Sequence, residues 1–386
     1  MKKLFTVSLA LAIALSSAIG STVLGADMAL EVDGKAVSST VPPVVKDGRT
    51  LVPLRVISET LGAVVSWDEG RQLVTIETAA YNVQFTINSK IYTVNGASKT
   101  LDTPPEISNG STLIPIRALA ESIGAEVNYD SAANKASVNY FTGVSGSIKV
   151  SGSTTVLPIM QAAADKLLAA NAGLSIAVSG GGSGAGIKDT SSGANNVGMS
   201  SRELTDDEKV ELVPIAIASD GIAIIVHPGN PVKNLTKEQA AQIFLGEIKN
   251  WQDVGGNNAP ILVQTRETGS GMLATLEEML LDKQTVVGTA TPFSSSALIK
   301  QAVASSANAI GFDSIGFVDS TVSAVSLDGI SANETTVKSA AYPLSRSLYV
   351  LTKSNATGIN AKLIDYLRTP SVQTDIIEKE GYISIY

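Results

Sequence analysis

The chain repeats one of its own segments, and this repeat restricts how its first third can fold. Residues 48–68, GRTLVPLRVISETLGAVVSWD, recur as residues 110–130, GSTLIPIRALAESIGAEVNYD, at a constant offset. Similarity at a fixed offset indicates two copies of one supersecondary unit. Each copy has a short apolar stretch ending in proline, a helical pattern, a closing glycine and an alternating strand pattern. We therefore predict a separate, β-rich α+β domain made of two repeats over residues 28–141.

The repeated segments also carry a family signature. Each has the pattern LVPLR followed by LG, and the whole stretch resembles the copper amine oxidase N-terminal-like domain of proteins secreted by Gram-positive bacteria. No cluster of His, Cys or Met accompanies the signature, so we predict no metal site. Arg55 and Glu59 stand four residues apart, as in an exposed helical ion pair. A stalk or attachment module is the expected role, with the cell wall as a candidate partner.

The first 26 residues have the features of a secretory signal peptide. MKK supplies a positive start, and an apolar run and small residues follow it. The chain contains no cysteine, which excludes disulfides, thiolate metal sites and a lipid anchor at a leader cysteine. A net charge of −8 argues against nucleic acid or an anionic membrane as a partner. We expect a secreted protein, extracellular or held at the cell surface.

The pattern changes after a junction of small residues at 140–147. From there to residue 386, short apolar strands alternate with helical patterns. This alternation predicts an α/β fold with largely parallel sheets, whose ligands bind at the carboxyl ends of the strands. The second domain is therefore predicted over residues 147–386.

Three strand-to-helix loops of the second domain combine hydroxyl residues with glycines. A helix N-terminus has four unsatisfied N–H groups and a positive dipole, which together suit a small oxyanion. An ordinary capping role explains any one such loop, but three in one domain favour an anion site. Arg266 adds a planar, charged donor to the third loop. The candidate residues of the loops are Ser153, Thr154, Thr155, Ser183, Arg266 and Ser270.

No pattern of catalytic residues accompanies these loops. Neither Ser183 nor Ser270 has the glycine two residues later that a nucleophile elbow requires. The single histidine, His227, lies at a predicted strand end and turn. We therefore predict a binding protein that is not an enzyme and uses no cofactor.

Residues 147–386 resemble the phosphate-binding proteins of bacterial ABC phosphate importers, which have a two-lobed type 2 periplasmic-binding fold. The matching stretches include SGSTTVLPI, GSGAGI, VGMSSREL, DGIAIIVHPGNPV and TRETGSGM. The resemblance implies that DGIAIIV and YPLSRSLYVLTK cross between two lobes that close over one phosphate. It also implies phosphate bonds from the Thr154 hydroxyl, from the Thr155 amide and from Ser183. The third loop would contribute Arg266, Ser270, Gly271 and the backbone amide of Met272.

One position departs from the family. Members often carry an aspartate that accepts the proton of hydrogen phosphate, but Ser201 stands there, followed by Arg202. A carboxylate acceptor favours protonated phosphate over sulfate, which has no proton to donate. Asp220 is the first candidate to replace it and Glu267 the second. A capped turn is the alternative explanation of Asp220.

The favoured function is the capture of inorganic phosphate outside the cell for the membrane permease of an ABC importer. One alternative is a cell-surface or matrix protein with a structural or sensor role that works through its repeat domain. Another is a binder of a different oxyanion, such as sulfate. Because every candidate loop follows the junction, residues 147–386 should bind phosphate alone.

Overall fold

A computed structural model describes residues 28–386, so the predicted signal peptide lies outside the described residues. Residues 28–141 form an N-terminal domain of short strands with two helices. Its strands are β1 (Ala29–Val32), β2 (Lys35–Val37), β3 (Val44–Lys46), β4 (Arg49–Pro53), β5 (Val64–Asp68), β6 (Leu73–Glu77), β7 (Asn82–Thr86), β8 (Ile91–Val94), β9 (Ala97–Thr100), β10 (Glu106–Ser108), β11 (Ser111–Pro115), β12 (Glu126–Asp130) and β13 (Lys135–Asn139). Its helices are α1 (Leu54–Thr60) and α2 (Ile116–Ser122).

The two sequence repeats form two related halves of this domain. The hairpins β3–β4 and β10–β11 join through β4 and β11, which pair antiparallel, so one sheet contains strands of both repeats. The strands β5 to β9 form a meander, while β12, β13, β1 and β2 form the third sheet. Leu54, Ile57 and Leu61 are buried, as the helical spacing predicts. Gly62 and Gly124 end their helices with positive φ angles of 81° and 76°.

The rest of the chain alternates strands with helices. Its strands are β14 (Gly146–Gly152), β15 (Leu174–Ser179), β16 (Val197–Ser200), β17 (Val213–Val226), β18 (Asn234–Leu235), β19 (Leu262–Arg266), β20 (Thr291–Phe293), β21 (Ala309–Ser314), β22 (Ser323–Leu327) and β23 (Ser345–Thr352). Its helices are α3 (Leu157–Ala170), α4 (Ser183–Ser192), α5 (Asp206–Glu211), α6 (Lys237–Leu245), α7 (Gly271–Met279), α8 (Ser296–Ala304), α9 (Glu334–Lys338), α10 (Gly358–Leu367) and α11 (Pro370–Val372).

These elements build two lobes around one long crossing strand. In the first lobe, β14 pairs parallel with β15 and β16. In the second, β19 pairs parallel with β20 and β21. The first part of β17 pairs antiparallel with β23, and its last five residues pair with β21 and β22. The two predicted crossings between the lobes, β17 and β23, are therefore confirmed. Because the return strand β23 runs antiparallel to β17, the sheet contains both parallel and antiparallel pairs.

The N-terminal domain packs against the first lobe. One continuous hydrophobic core contains residues of both, whereas the second lobe has a core of its own. The buried Asp365 of α10 accepts hydrogen bonds from the Ala79 amide at 2.7 Å and from the Tyr140 hydroxyl at 2.6 Å. Burial raises the pKa of Asp365 to about 6.

The segment after β13 differs from the expectation of a junction of small residues. Tyr140 and Phe141 are buried, and Phe141 packs edge-on against Tyr366 with 5.2 Å between ring centroids. Lys362 donates to the Tyr140 carbonyl at 2.7 Å. These two aromatic residues fix the chain at the domain boundary, so the N-terminal domain is not connected through a flexible linker.

Candidate anion-binding site

The three candidate loops meet where the two lobes touch. Helices α3 and α4 begin in the first lobe and α7 begins in the second. The Gly184 amide donates to the Gly269 carbonyl at 2.9 Å across the cleft. Arg266 of the second lobe donates from Nη2 to the Thr154 hydroxyl of the first lobe at 3.0 Å. The structure is thus a closed form in which donors of both lobes face one another.

Glycine is needed where α7 approaches the first lobe. A Cβ atom on Gly271 would lie 2.2 Å from the Ser183 hydroxyl oxygen and 2.9 Å from that of Ser201. Any larger residue would therefore separate the beginning of α7 from these serines. The absence of a side chain leaves the first amides of α7 free to approach a ligand.

Ser183 and Ser201 form a buried pair on the first-lobe side. The Ser183 hydroxyl accepts from the Ser201 amide at 3.0 Å, and the two hydroxyl oxygens lie 3.2 Å apart. The sequence-based prediction placed both in the site, and the structure brings them together beside α7. The bond between the two hydroxyl groups can be exchanged for a bond to an anion, since each hydroxyl both donates and accepts.

Two of the predicted serines accept hydrogen bonds from nearby backbone amides: Ser270 is the N-cap of α7, and Ser153 stabilises the turn before α3. Ser153 accepts from the amides of Thr155 and Val156 at 3.2 and 3.4 Å, and Ser270 accepts from the Leu273 amide at 3.3 Å. The Met272 side chain is buried in the core of the second lobe, which leaves its backbone as the part that can face a ligand.

Arg266 is fixed by four hydrogen bonds. Besides Thr154, its guanidinium donates to the carbonyls of Phe293 and Ser294 at 3.0 Å and to the Ser296 hydroxyl at 3.3 Å. The residue is 3% exposed, and burial lowers its pKa from the ordinary arginine value. Among residues 28–386, no carboxylate bonds to this guanidinium directly, so its positive charge has no ion-pair partner there.

A second buried arginine, Arg346, escaped the sequence analysis. It lies on β23 directly opposite Asp220 of β17 and donates to that carboxylate from Nε at 3.1 Å and Nη2 at 2.8 Å. It also donates to the Ser201 carbonyl at 2.8 Å and to the Thr155 hydroxyl at 3.4 Å. Its only sequence signal is that one arginine interrupts the predicted return strand YPLSRSLYVLTK, just as one aspartate precedes the first crossing.

Asp220 differs from its predicted role as a free acceptor. One oxygen bonds Arg346 twice, and the other accepts from the Ser314 hydroxyl at 2.6 Å. The residue is fully buried in the crossing strand, so it is not a capped turn either. Its carboxylate compensates the charge of Arg346 and fixes the two crossing strands in register.

Asp313, which the sequence analysis also missed, is a better candidate for the acceptor. It lies on β21 beside Arg266, since β19 and β21 pair parallel with Val263 opposite Ile310. Its Oδ1 accepts from the Ser314 amide at 2.8 Å, whereas its buried Oδ2 has no hydrogen-bond partner among residues 28–386. Burial raises its pKa to about 7, although the Ser314 amide, Arg266 and the nearby Ser296 hydroxyl oppose the shift. An unpaired buried oxygen of this kind calls for a donor.

Two other predicted charges lie elsewhere. Arg202 turns away from the cleft, and its guanidinium forms two 2.8 Å bonds to Glu208, which caps α5 together with Thr205. Glu267 is exposed on the surface. Arg202 was assigned from its position next to Ser201, but the chain bends there after β16, and the pairing with Glu208 directs its side chain away from the cleft.

Residues 28–386 contain no group of three His, Cys, Asp or Glu side chains placed to hold a metal ion. Over the same residues, no helix is both long and apolar enough to cross a membrane.

Comparisons with known proteins agree with the two regions of the structure. A family model described as the PBP superfamily domain matches residues 137–369, and one described as the copper amine oxidase N-terminal domain matches residues 31–138. The phosphate-binding protein PstS of Bacillus subtilis is 34% identical over 245 residues, which cover 62% of this chain and 81% of that protein. The chain belongs to the phosphate-binding protein family.

Solved structures support the same assignment to the phosphate-binding protein family. A Clostridium perfringens protein assigned as the substrate-binding protein of a phosphate ABC transporter, solved with bound phosphate, is 38% identical with a TM-score of 0.60. An ABC-type phosphate transport receptor from Vibrio cholerae is 36% identical with a TM-score of 0.53. Each match covers 62% of this chain and all of the other. The predicted two-lobed fold is thereby confirmed.

Proposed function

We propose that this protein captures inorganic phosphate between its two lobes and delivers it to the permease of an ABC importer. The observation that carries the proposal is the closed cleft, where the beginnings of α3, α4 and α7 meet beside two buried arginines. Relatives of the family are named as phosphate-binding proteins and as parts of a phosphate ABC transporter. Binding takes place outside the cytoplasm, in keeping with the leader predicted from the sequence.

The charges of the cleft suit an anion that is bound and released unchanged. Asp220 compensates Arg346, and Arg266 keeps a charge that no carboxylate contacts directly. Helix N-termini and hydroxyl groups add neutral donors whose arrangement is fixed by the fold. Hydrogen-bond donors held in place stabilise phosphate without any covalent step, so release requires only that the lobes open.

Calorimetric titration of the chain with phosphate and with sulfate tests the proposal. We expect phosphate to bind at one site per chain, since both lobes contribute to a single cleft. Sulfate should bind more weakly because a carboxylate is present beside Arg266. If phosphate releases no heat and does not raise the melting temperature, the proposed function is wrong.

We propose that Asp313 is the residue that distinguishes phosphate from sulfate, in place of Asp220. Its unpaired Oδ2 can accept the proton of hydrogen phosphate, whereas an oxygen of sulfate would meet it without a hydrogen between them. Asp313→Asn should bring the two affinities to within about tenfold, or 1.4 kcal/mol. Glu267→Gln is the matched control, because Glu267 is exposed. If Asp313→Asn prefers phosphate over sulfate as strongly as the wild type does, Asp313 only positions Arg266 and does not select the anion.

Asp313 also predicts a pH dependence of the phosphate-free protein. Its pKa of about 7 lies above the ordinary value of 3.8, so the folded protein retains a proton that the unfolded chain releases. The stabilisation is complete below pH 3.8 and is lost as the pH rises towards 7. Urea unfolding should show that the wild type loses stability relative to Asp313→Asn over this range. Equal pH slopes for the two proteins would contradict the assignment.

A further inference from the structure

The N-terminal domain has two grooves that are related by the sequence repeat. The first groove has a volume of about 680 Å³; α1 and β5 form one side, and the hairpin β10–β11 of the other repeat forms the opposite side. The second groove has a volume of about 530 Å³; α2 and β12 form one side, and the hairpin β3–β4 forms the opposite side. Each groove thus combines the helix and following strand of one repeat with the hairpin of the other. Cavities of this size accommodate small ligands or short segments of a polymer.

Equivalent side chains line the two grooves. Each has one exposed aromatic ring on its strand, one exposed β-branched residue on its hairpin, and one Arg–Glu pair on its helix. In the first groove these are Trp67, Ile107, Arg55 and Glu59; in the second they are Tyr129, Val45, Arg117 and Glu121. Both copies therefore keep the same combination of side chains at the surface.

The exposed aromatic rings are the unusual part of this set. Trp67 is 39% exposed and Tyr129 is 55% exposed, and Tyr386 is the only other aromatic residue among residues 28–386 with comparable exposure. A single exposed apolar residue needs no explanation. Two at equivalent positions of two grooves, each facing another exposed apolar residue, indicate a repeated binding surface.

The Arg–Glu pairs in the grooves are already compensated, and the first groove carries one further carboxylate, Glu69, which disfavours an anionic ligand. Arg55 donates to Glu59 at 2.9 Å and to the Val65 carbonyl at 3.2 Å, and Arg117 lies 3.9 Å from Glu121. In the second groove Arg49 also donates to Asp102 at 2.9 Å. A strongly charged ligand gains little from such a surface. The ion pairs nevertheless offer both donors and acceptors to the hydroxyl groups of a neutral ligand.

We propose that the two grooves bind a neutral β-1,4-linked polysaccharide. The pyranose rings of such a chain have flat C–H faces that pack on an aromatic ring, while their hydroxyl groups project sideways towards the Arg–Glu pair. Trp67 and Tyr129 are the stacking residues. A polymer surface with repeating units offers a site to each groove, and two grooves on one protein strengthen its retention on an insoluble polymer when both are engaged.

The aromatic rings of both grooves remain exposed when the N-terminal domain is packed on the first lobe. The contacts to α10 come from Gly62, Ala79 and Tyr140, which line neither groove, whereas Glu59 at the edge of the first groove also borders Pro370 and Tyr386. The phosphate site is built from other residues in the cleft between the lobes. The inference is therefore independent of the proposed phosphate function, and each can fail alone.

Tryptophan fluorescence gives a direct readout. The chain has two tryptophans, of which Trp251 is 2% exposed in the core of the second lobe. A change of emission on adding cellohexaose or chitohexaose therefore reports on Trp67. We expect a saturable change with at least one of the two hexasaccharides, and none with Trp67→Phe or with the anionic polymer polygalacturonate.

Cosedimentation with insoluble cellulose and chitin tests the contribution of both grooves. Trp67→Ala and Tyr129→Ala should each weaken retention on the polymer by about tenfold, and the double variant should not be retained. Ile91→Ala is the matched control, because Ile91 is 61% exposed and lines neither groove. All of these variants should unfold at the melting temperature of the wild type, which shows that they are folded whether or not the protein binds phosphate.

Three results would overturn the inference. The first is that neither hexasaccharide changes the emission and neither polymer retains the protein. The second is that binding persists in the double variant. The third is that polygalacturonate binds the grooves and the neutral glycans do not.

Discussion

Arg266→Ala should weaken phosphate binding by about 2–5 kcal/mol, which is at least thirtyfold, by analogy with buried charge pairs at interfaces. Arg266 is the buried cation that reaches across the cleft, and its guanidinium has no carboxylate bonded to it. Without it, the charge of phosphate would be desolvated among neutral donors and Arg346, whose charge Asp220 already compensates. Arg346→Ala is a less specific test, because it would leave the buried Asp220 unpaired and destabilise the fold.

Calorimetry on Arg266→Ala and on Arg202→Ala measures this effect. Arg202 is the matched control, since it belongs to the first lobe but pairs with Glu208 outside the cleft. Its removal should change phosphate affinity little. Equal losses in the two variants would mean that general electrostatic attraction, and not the cleft, holds phosphate. An intact affinity in Arg266→Ala would remove the third loop from the site.

Gly62→Ala should lower the free energy of unfolding more than Gly124→Ala, the equivalent substitution in the second repeat. A Cβ atom on Gly62 would lie 2.1 Å from the Asp365 carbonyl oxygen of α10. Its φ of 81° adds about 1–2 kcal/mol of strain for any side chain. Overpacking against a backbone that is fixed in a shared core adds roughly another 1–3 kcal/mol.

Gly124→Ala provides the matched control, because Gly124 occupies the equivalent position of the second repeat. Its φ is 76°, and its added Cβ would meet only the Tyr81 side chain at 3.3 Å. Urea unfolding should therefore show a loss of about 1–2 kcal/mol for Gly124→Ala. If both variants lose the same amount, the N-terminal domain is not packed rigidly against α10. Phosphate should still raise the melting temperature of both variants.

Much of the local structure could be predicted, because it depends on neighbours in sequence. Helix α6 begins at Lys237 with a capping box between Thr236 and Gln239, a pattern that the sequence TKEQ itself contains. The glycine loops that precede α4 and α7 lead into those helices as expected, and Gly62 and Gly124 close theirs. Each of these features follows from hydrogen bonds and backbone angles within a few residues.

The charged residues of the site were less predictable. Arg202 is adjacent to Ser201 in sequence but bonds Glu208, whereas Arg346 is 145 residues away and bonds the Ser201 carbonyl. Asp313 becomes a candidate only because parallel pairing sets β21 beside β19. The pairing of strands distant in sequence decides which charges share a low-dielectric cleft, and no local pattern encodes that pairing.

The sequence by itself determined the repeat, the alternation of strands and helices, and the loops that offer amides to an anion. These depend on periodicity, on glycine at positions of positive φ and on the unsatisfied amides of helix ends. Only the tertiary structure decided that the N-terminal domain shares a core with the first lobe, that Asp220 neutralises Arg346, and that Asp313 retains an unpaired oxygen. Burial and charge pairing act through space, so they are settled only when distant segments pack together.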